Sequence, residues 1–357
     1  MIMNNTGNEM NGTPKKGVWE WIVIIVVVIA ALGAGAFFGP KLIKPNASTG
    51  KMCGGVNIDY FGGGNPQDTF AKVVYAGALE AQKDLGANVN FIWSDWDSEK
   101  MVSQFKDALG AVPDAIAMMG HPGAAALGPL IDEAERKNII VTMQNVDIPD
   151  VRAKYTAKGF GYVGQNLYNS GLMVAQGVIR KYQPAEGSEA IVFGVDKTAD
   201  PGRYERTKGC IDGLANAKLI VHEIAIPQAV QTDAASAAAK QLFAEAFAKY
   251  PNATLAIVDH GALTASSPDL LKALGKKPGE IVLAGFDLSA ATVAGIQSGY
   301  IGLILDQQPY LQGYLPVLQA CLTKKYGFAG LYIDTGVGLI DGTNVDAVAS
   351  LAAKGVR

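Results

Sequence analysis

The chain has 357 residues, 49% of them apolar, with 30 Lys and Arg against 33 Asp and Glu for a net charge of −3. This describes a globular protein with room for two cores. The basic residues cluster no further than pairs such as Lys276-Lys277 and Lys324-Lys325, which excludes nucleic acid as the main partner, because phosphate contacts need groups of Lys and Arg.

Residues 1–17 are polar and end in Lys15-Lys16-Gly17. Residues 18–39 follow, and their apolar run is long enough to cross a bilayer, with Trp19 and Trp21 placed for an interface. Two readings stay open. One is a transmembrane anchor behind a cytoplasmic leader. The other is a signal peptide cut near Ala34-Gly35-Ala36. Either places the rest of the chain outside the cytoplasm, in the periplasm or at the cell surface. Residues 40–50 read as a Pro- and Ser-containing tether. Cys53, Cys210 and Cys321 have no zinc-ligand spacing, and three cannot all pair within one chain, so free buried thiols are expected.

From residue 52 strands and helices alternate. A strand over 56–60 enters the loop Gly62-Gly63-Gly64-Asn65-Pro66, and a helix over 69–85 follows, capped by Asp68 or Thr69. Strand 89–93, helix 97–109 and strand 115–119 come next. The turn Gly120-His121-Pro122-Gly123 opens a helix to 137, and strand 139–143 ends in Gln144-Asn145. Residues 144–163 show no helix, with a strand at 159–163. The alternation then restarts: helix 167–182, strand 190–195, a helix from 203 to 215, strand 219–226, helix 232–249, and strand 255–258 ending in Asp259-His260. Helix 263–274 leads to strand 281–284, which ends in Gly285-Phe286-Asp287. Helix 289–297 and strand 300–305 end in Asp306-Gln307-Gln308-Pro309. Two rounds of one pattern predict an α/β protein of two similar lobes, each a doubly wound parallel sheet. Helix 310–326 and strand 331–333 return to the first lobe, and 336–357 to the second. The lobes are then 51–163 with 308–334, and 164–307 with 335–357.

Enzyme chemistry finds little support. A dinucleotide fingerprint read from Gly62 meets Gln67 where its third glycine should be, and no phosphate-binding P-loop occurs. His121, His222 and His260 are isolated, no G-x-S-x-G elbow exists, and three scattered histidines make a poor metal site. No cofactor is implied. What does gather at predicted strand ends is a set of carboxylates, amides and aromatics: Asp68 and Phe70, Trp93 and Trp96, His121, Gln144 and Asn145, Asp196, Tyr204, Asp259, Asp287, Asp306 and Gln307. In parallel α/β sheets ligands sit beyond the carboxyl ends of the strands. Carboxylates and amides bond hydroxyl groups, and aromatic faces cover the apolar side of a sugar ring.

The segments Ala284-Gly285-Phe286-Asp287 and Asp306-Gln307-Gln308-Pro309 with Gly313, and more weakly Tyr204-Glu205-Arg206 with Gly209 and Val258-Asp259-His260, resemble the ribose/galactose-binding type of type I periplasmic binding protein. The resemblance runs from about Gly55 to the C-terminus. It implies sugar contacts from Asp287, Asp306, Gln307 and Asp259, faced by Asp68, Phe70, Gln144 and Asn145. The ribose-type pattern has an arginine where Tyr204 stands here, with Arg203 one place earlier. The resemblance further implies a non-enzymatic monomer that binds a sugar or polyol by hinge closure and hands it to the membrane permease of an ABC importer. A membrane-tethered sensor using the same domain is the alternative. The hinge strands are expected near 161–164, at 283–287 or 304–308, and at 333–336.

Overall fold

The computed structural model describes residues 50–357. The predicted leader, the apolar segment 18–39 and nearly all of the tether lie outside the described residues. Among the described residues no helix is long and apolar enough to cross a membrane.

The first sheet contains β1 (Asn57–Phe61), β2 (Asn88–Ile92), β3 (Ala115–Met119), β4 (Ile140–Gln144), β5 (Tyr162–Gly164) and β11 (Tyr332–Asp334), in the order β11-β5-β4-β3-β1-β2. The second contains β6 (Glu189–Gly194), β7 (Ile220–Ala225), β8 (Leu255–Val258), β9 (Val282–Phe286), β10 (Leu303–Asp306) and β12 (Gly338–Asp341), in the order β12-β10-β9-β8-β6-β7. All neighbours are parallel except β10 and β12. Central strands such as β3 and β8 are buried along their whole length. Helices cover both faces of a parallel sheet, so these strands are unbroken apolar runs rather than alternating ones.

The first sheet's helices are α1 (Thr69–Leu85), α2 (Ser98–Ala111), α3 (Gly123–Arg136) and α4 (Pro149–Tyr155). The chain then gives α5 (Leu167–Tyr182), α6 (Pro201–Asn216), α7 (Gln228–Thr232), α8 (Ala237–Lys249), α9 (Gly261–Ala273), α10 (Ala290–Gln297), α11 (Pro309–Tyr326) and α12 (Val345–Ala353). Helix α4 falls where none is expected from the sequence. It has no buried residue, hence no apolar stripe to read, and Pro149 starts it. The expected helix 232–249 starts later, as α8, because Ser236 caps it by accepting from the Ala239 N–H, and the separate short α7 precedes it.

Two helix pairs pack backbone to backbone, and glycine permits it. A Cβ on Gly77 of α1 would strike the Tyr310 carbonyl of α11, and one on Gly209 of α6 would strike the Tyr168 carbonyl of α5. The second pair fixes the position of α6, which carries much of the site.

The chain passes between the sheets three times: after β5, between β10 and α11, and between β11 and β12. The second passage is the 304–308 alternative, since β9 pairs with β8 and β10 inside the second sheet.

The cysteine expectation is corrected. Cys53, in the lead-in to β1, is disulfide-bonded to Cys321 of α11, with 5.7 Å between Cα atoms, and Cys210 is a buried thiol. The two partners are 268 residues apart, so their spacing carried no signal until α11 returned to the first sheet. Such a bridge closes nearly the whole described chain into one loop. Replacing Cys53 by Ser should cost about 2–4 kcal/mol, read as a fall in unfolding free energy in a denaturant titration. Reductant should reproduce the loss in the native chain and leave the variant unchanged.

Candidate functional site

The carboxyl ends of the two sheets face each other across a cavity of about 130 Å³. Asp68, Phe70, Trp96, His121 and Asn145 line it from the first sheet. Asp200, Arg203, Arg206, His260 and Asp287 line it from the second, and Gln307 joins them from the β10–α11 passage.

The first wall is built on a helix start. Asp68 caps α1 through Oδ1, 3.0 and 2.8 Å from the N–H groups of Phe70 and Ala71. Its Oδ2 accepts from Trp96 Nε1 at 3.3 Å. The Trp96 ring tilts against Phe70 and His121. Gly62, Gly63 and Gly64 lie directly under the Trp93 and Trp96 rings, where any Cβ would collide with an indole. The glycine run is thus a bed for two indoles.

The second wall is built on a buried ion cluster. Asp259 is fully enclosed. Arg203 reaches its two carboxylate oxygens at 3.0 and 2.8 Å, and Arg206 Nε and the Thr207 hydroxyl complete the set. Burial would raise the Asp259 carboxyl, but Arg203 and Arg206 outweigh it and hold it below the usual range. The Arg206 guanidinium lies 3.8 Å above the Phe286 ring, and its Nη1 is buried with no partner. His260 caps α9, its Nδ1 accepting the Leu263 N–H at 3.3 Å. Burial, then the charge of Arg203, pulls His260 down to about 4, so the ring is neutral and Nε2 carries the proton. Asp287 accepts from Gln307 Nε2, and Gly261 leaves room for its carboxylate, which a Cβ there would displace. Burial raises the Asp287 carboxyl against the opposing pull of Arg206.

Several of these residues are held in left-handed backbone: Trp96 at φ 60°, Asn145 at 62° and Asp287 at 73°. For non-glycine residues that conformation is costly, and it gathers at ligand clamps.

Five of the residues predicted at strand ends lie outside the cavity lining, the first being Trp93, whose ring lies over Gly62. Gln144 donates across the sheet to the Phe61 carbonyl at 2.8 Å. Asp259 is behind the wall as a counter-ion. Asp306 is enclosed, accepting from the Gln308 N–H and from Arg357 at 2.9 Å each. Tyr204 points outward to Glu223, because one residue turns a helix by about 100°; Arg203 and Arg206, three apart, share the inward face. The prediction missed Arg203, Arg206, Asp200 and the role of His260. Asp200-Pro201 as a helix start with arginines three and six residues on was the signal available.

Asp259→Ala should destabilise the protein by about 3–5 kcal/mol, because it strands two buried guanidinium groups. Asp68→Ala should cost about 1 kcal/mol, the price of a helix cap. Chemical denaturation distinguishes the two. Because its folded pKa is depressed, the Asp259 contribution is present above the ordinary carboxylate range and lost as pH falls below it.

Residues 61–323 match a family described as periplasmic binding protein domain. The xylose/arabinose-binding protein XylF of Sulfolobus acidocaldarius is 29% identical over 263 residues, which are 70% of this chain and 62% of the relative's length. A carbohydrate transporter of Acidothermus cellulolyticus, solved with myo-inositol, superposes with a TM-score of 0.73 at 24% identity, over 85% of this chain and 99% of that one. GanP, a glucose-galactose binding protein of Geobacillus stearothermophilus, gives 0.69 at 19% identity, over 81% and 98%. The fold is that of the type I periplasmic sugar-binding proteins, and the chain belongs to the periplasmic binding protein family, whose members bind solutes and are not enzymes.

Proposed function

We propose that this protein is the extracytoplasmic solute-binding component of an ABC importer, taking one neutral sugar or polyol between its lobes and passing it to a membrane permease. The lobes are 51–163 with 308–334, and 164–307 with 335–357. The three passages between the sheets form the hinge, and closure is an established motion for such an architecture. The chain acts as a monomer, brought to the membrane or exported by residues 18–39.

One observation carries the reading. The cavity combines aromatic faces, Phe70 and Trp96, with hydrogen-bonding ends not consumed by the fold: Arg206 Nη1, the Nε2–H of His260 and the second oxygen of Asp287. Mixed donors and acceptors beside an aromatic plane suit a polyhydroxylated ring. Against the charges of Arg203 and Arg206 stand Asp259 behind the wall and Asp68, Asp200 and Asp287 in the lining, an acidic balance that disfavours a sugar phosphate. The relatives named for xylose, arabinose, glucose and galactose, and the neighbour holding myo-inositol, support the same class.

The test is isothermal titration of the full chain with D-xylose, L-arabinose, D-glucose, D-galactose, myo-inositol and glucose 6-phosphate. One neutral member should bind, and Asp287→Asn should weaken it roughly 10- to 100-fold, the worth of a charged hydrogen bond. Binding of the phosphate alone would defeat the reading.

A further inference from the structure

His121 and Asp200 come from opposite sheets and meet across the cavity. His121 lies in the turn after β3, and Asp200 caps α6 after β6. Nδ1 of His121 is 2.7 Å from Asp200 Oδ2, and Nε2 is 3.0 Å from Asn145 Oδ1. The same seam brings Gly202 against Val146. Both ring nitrogens are taken, so His121 has none to offer a ligand.

The protons on that ring follow from the direction of the bonds around it. At the far end the Asp287 carboxylate accepts from Gln307 Nε2. Gln307 therefore turns its NH2 group to Asp287 and its Oε1 inward. Gln312 gives its NH2 group to the Gln307 backbone carbonyl at 2.9 Å, so its Oε1 also turns inward. Asn145 Nδ2 faces those two oxygens at 3.4 and 3.3 Å, which leaves Asn145 Oδ1 for His121. An amide oxygen on one side and a carboxylate on the other both accept. The imidazole between them donates twice, which takes a proton on each nitrogen.

On the hinge-closing reading given above, we infer that His121 is a proton-loaded latch of the cleft: closure takes up one proton from water, and the ring then bridges Asp200 of the second lobe to Asn145 of the first. Opening withdraws Asp200, and the ring returns to water, where it needs one proton only. The closed form thus binds one proton more than the open form. Acid favours closure, and the preference fades as pH rises.

The surrounding charges are accounted for. Helix α6 presents Asp200 and, one turn on, Arg203. Asp68 faces the cavity with its carboxylate engaged by Trp96. Asp147, beside the β4 exit, is paired with Arg152. Arg206, Asp287 and the neutral His260 stand on the opposite wall. Burial works to raise Asp200, yet the charge and hydrogen bond of His121, helped by Arg203, leave its carboxyl below the ordinary range.

The test needs no ligand. Spin labels on Gln67→Cys and Lys197→Cys, both exposed rim positions, report closed and open populations of the full chain by pulsed electron resonance. Cys210 is buried and Cys53 and Cys321 are bridged, so the labels go where intended. From about pH 9 down to about pH 5, the closed-to-open ratio should rise, by at most about tenfold per pH unit for one proton. His121→Gln should abolish the pH response, and Asp200→Asn, which keeps the shape and removes the charge, should lower the closed fraction and flatten the slope. A ratio that does not move with pH, or that moves equally in His121→Gln, overturns the latch, as does the absence of a closed population at every pH. Sugar titration of the same samples keeps the two proposals apart: a pH-driven closure without sugar binding would sink the sugar reading and leave the latch standing.

Discussion

A carboxylate sealed from water must have every lone pair answered, and Asp259 is where this protein meets that demand. Its partners come from one helix, with Arg203, Arg206 and Thr207 arriving within two turns of α6. The cluster therefore docks α6 on the end of β8 in one register only. That register turns the Arg206 fork toward the cavity and sets Asp200 at the seam between the sheets. Had the wall been apolar, α6 could slide by a fraction of a turn at small cost; a buried ion cluster resists that because a displaced charge has no solvent to fall back on.

The amides extend the same logic to the passages between sheets. Gln165 lies at the first passage, Gln307 and Gln312 at the second and Thr335 at the third, and they bond one another. Gln307 is the member that also touches the cavity, through Asp287. From the first wall Asn145 joins it, donating to Gln307 and Gln312, so the cavity meets this network from both sheets. Buried amide networks of this kind are rigid when complete, because each member fixes the orientation of the next.

Much of the fold was legible because central strands covered on both faces are plain apolar runs, and Asp68, Phe70, Trp96, His121, Asn145, Asp287 and Gln307 reach the cavity because strand ends converge there by topology. The same rule misplaced Asp259 and Asp306, which stand at strand ends as well. Whether such a carboxylate faces solvent or a guanidinium depends on what arrives from elsewhere, and Arg203 and Arg357 lie 56 and 51 residues away from their partners. Tyr204 shows a different limit, since one position of error on a helix exchanges the inner face for the outer. Helix α4 and the Cys53–Cys321 bridge left no local pattern at all.

The Cys53–Cys321 bridge also decides how the molecule carries load. Cys53 precedes β1, at the amino ends of the first sheet's strands and so away from the cavity, and Cys321 belongs to the helix that packs on that sheet. Tension on the chain ahead of Cys53 enters α11 through sulfur and spreads into the first lobe without crossing any of the three passages. The first sheet with α11 is thereby the braced part of the molecule, and the three passages carry none of that load.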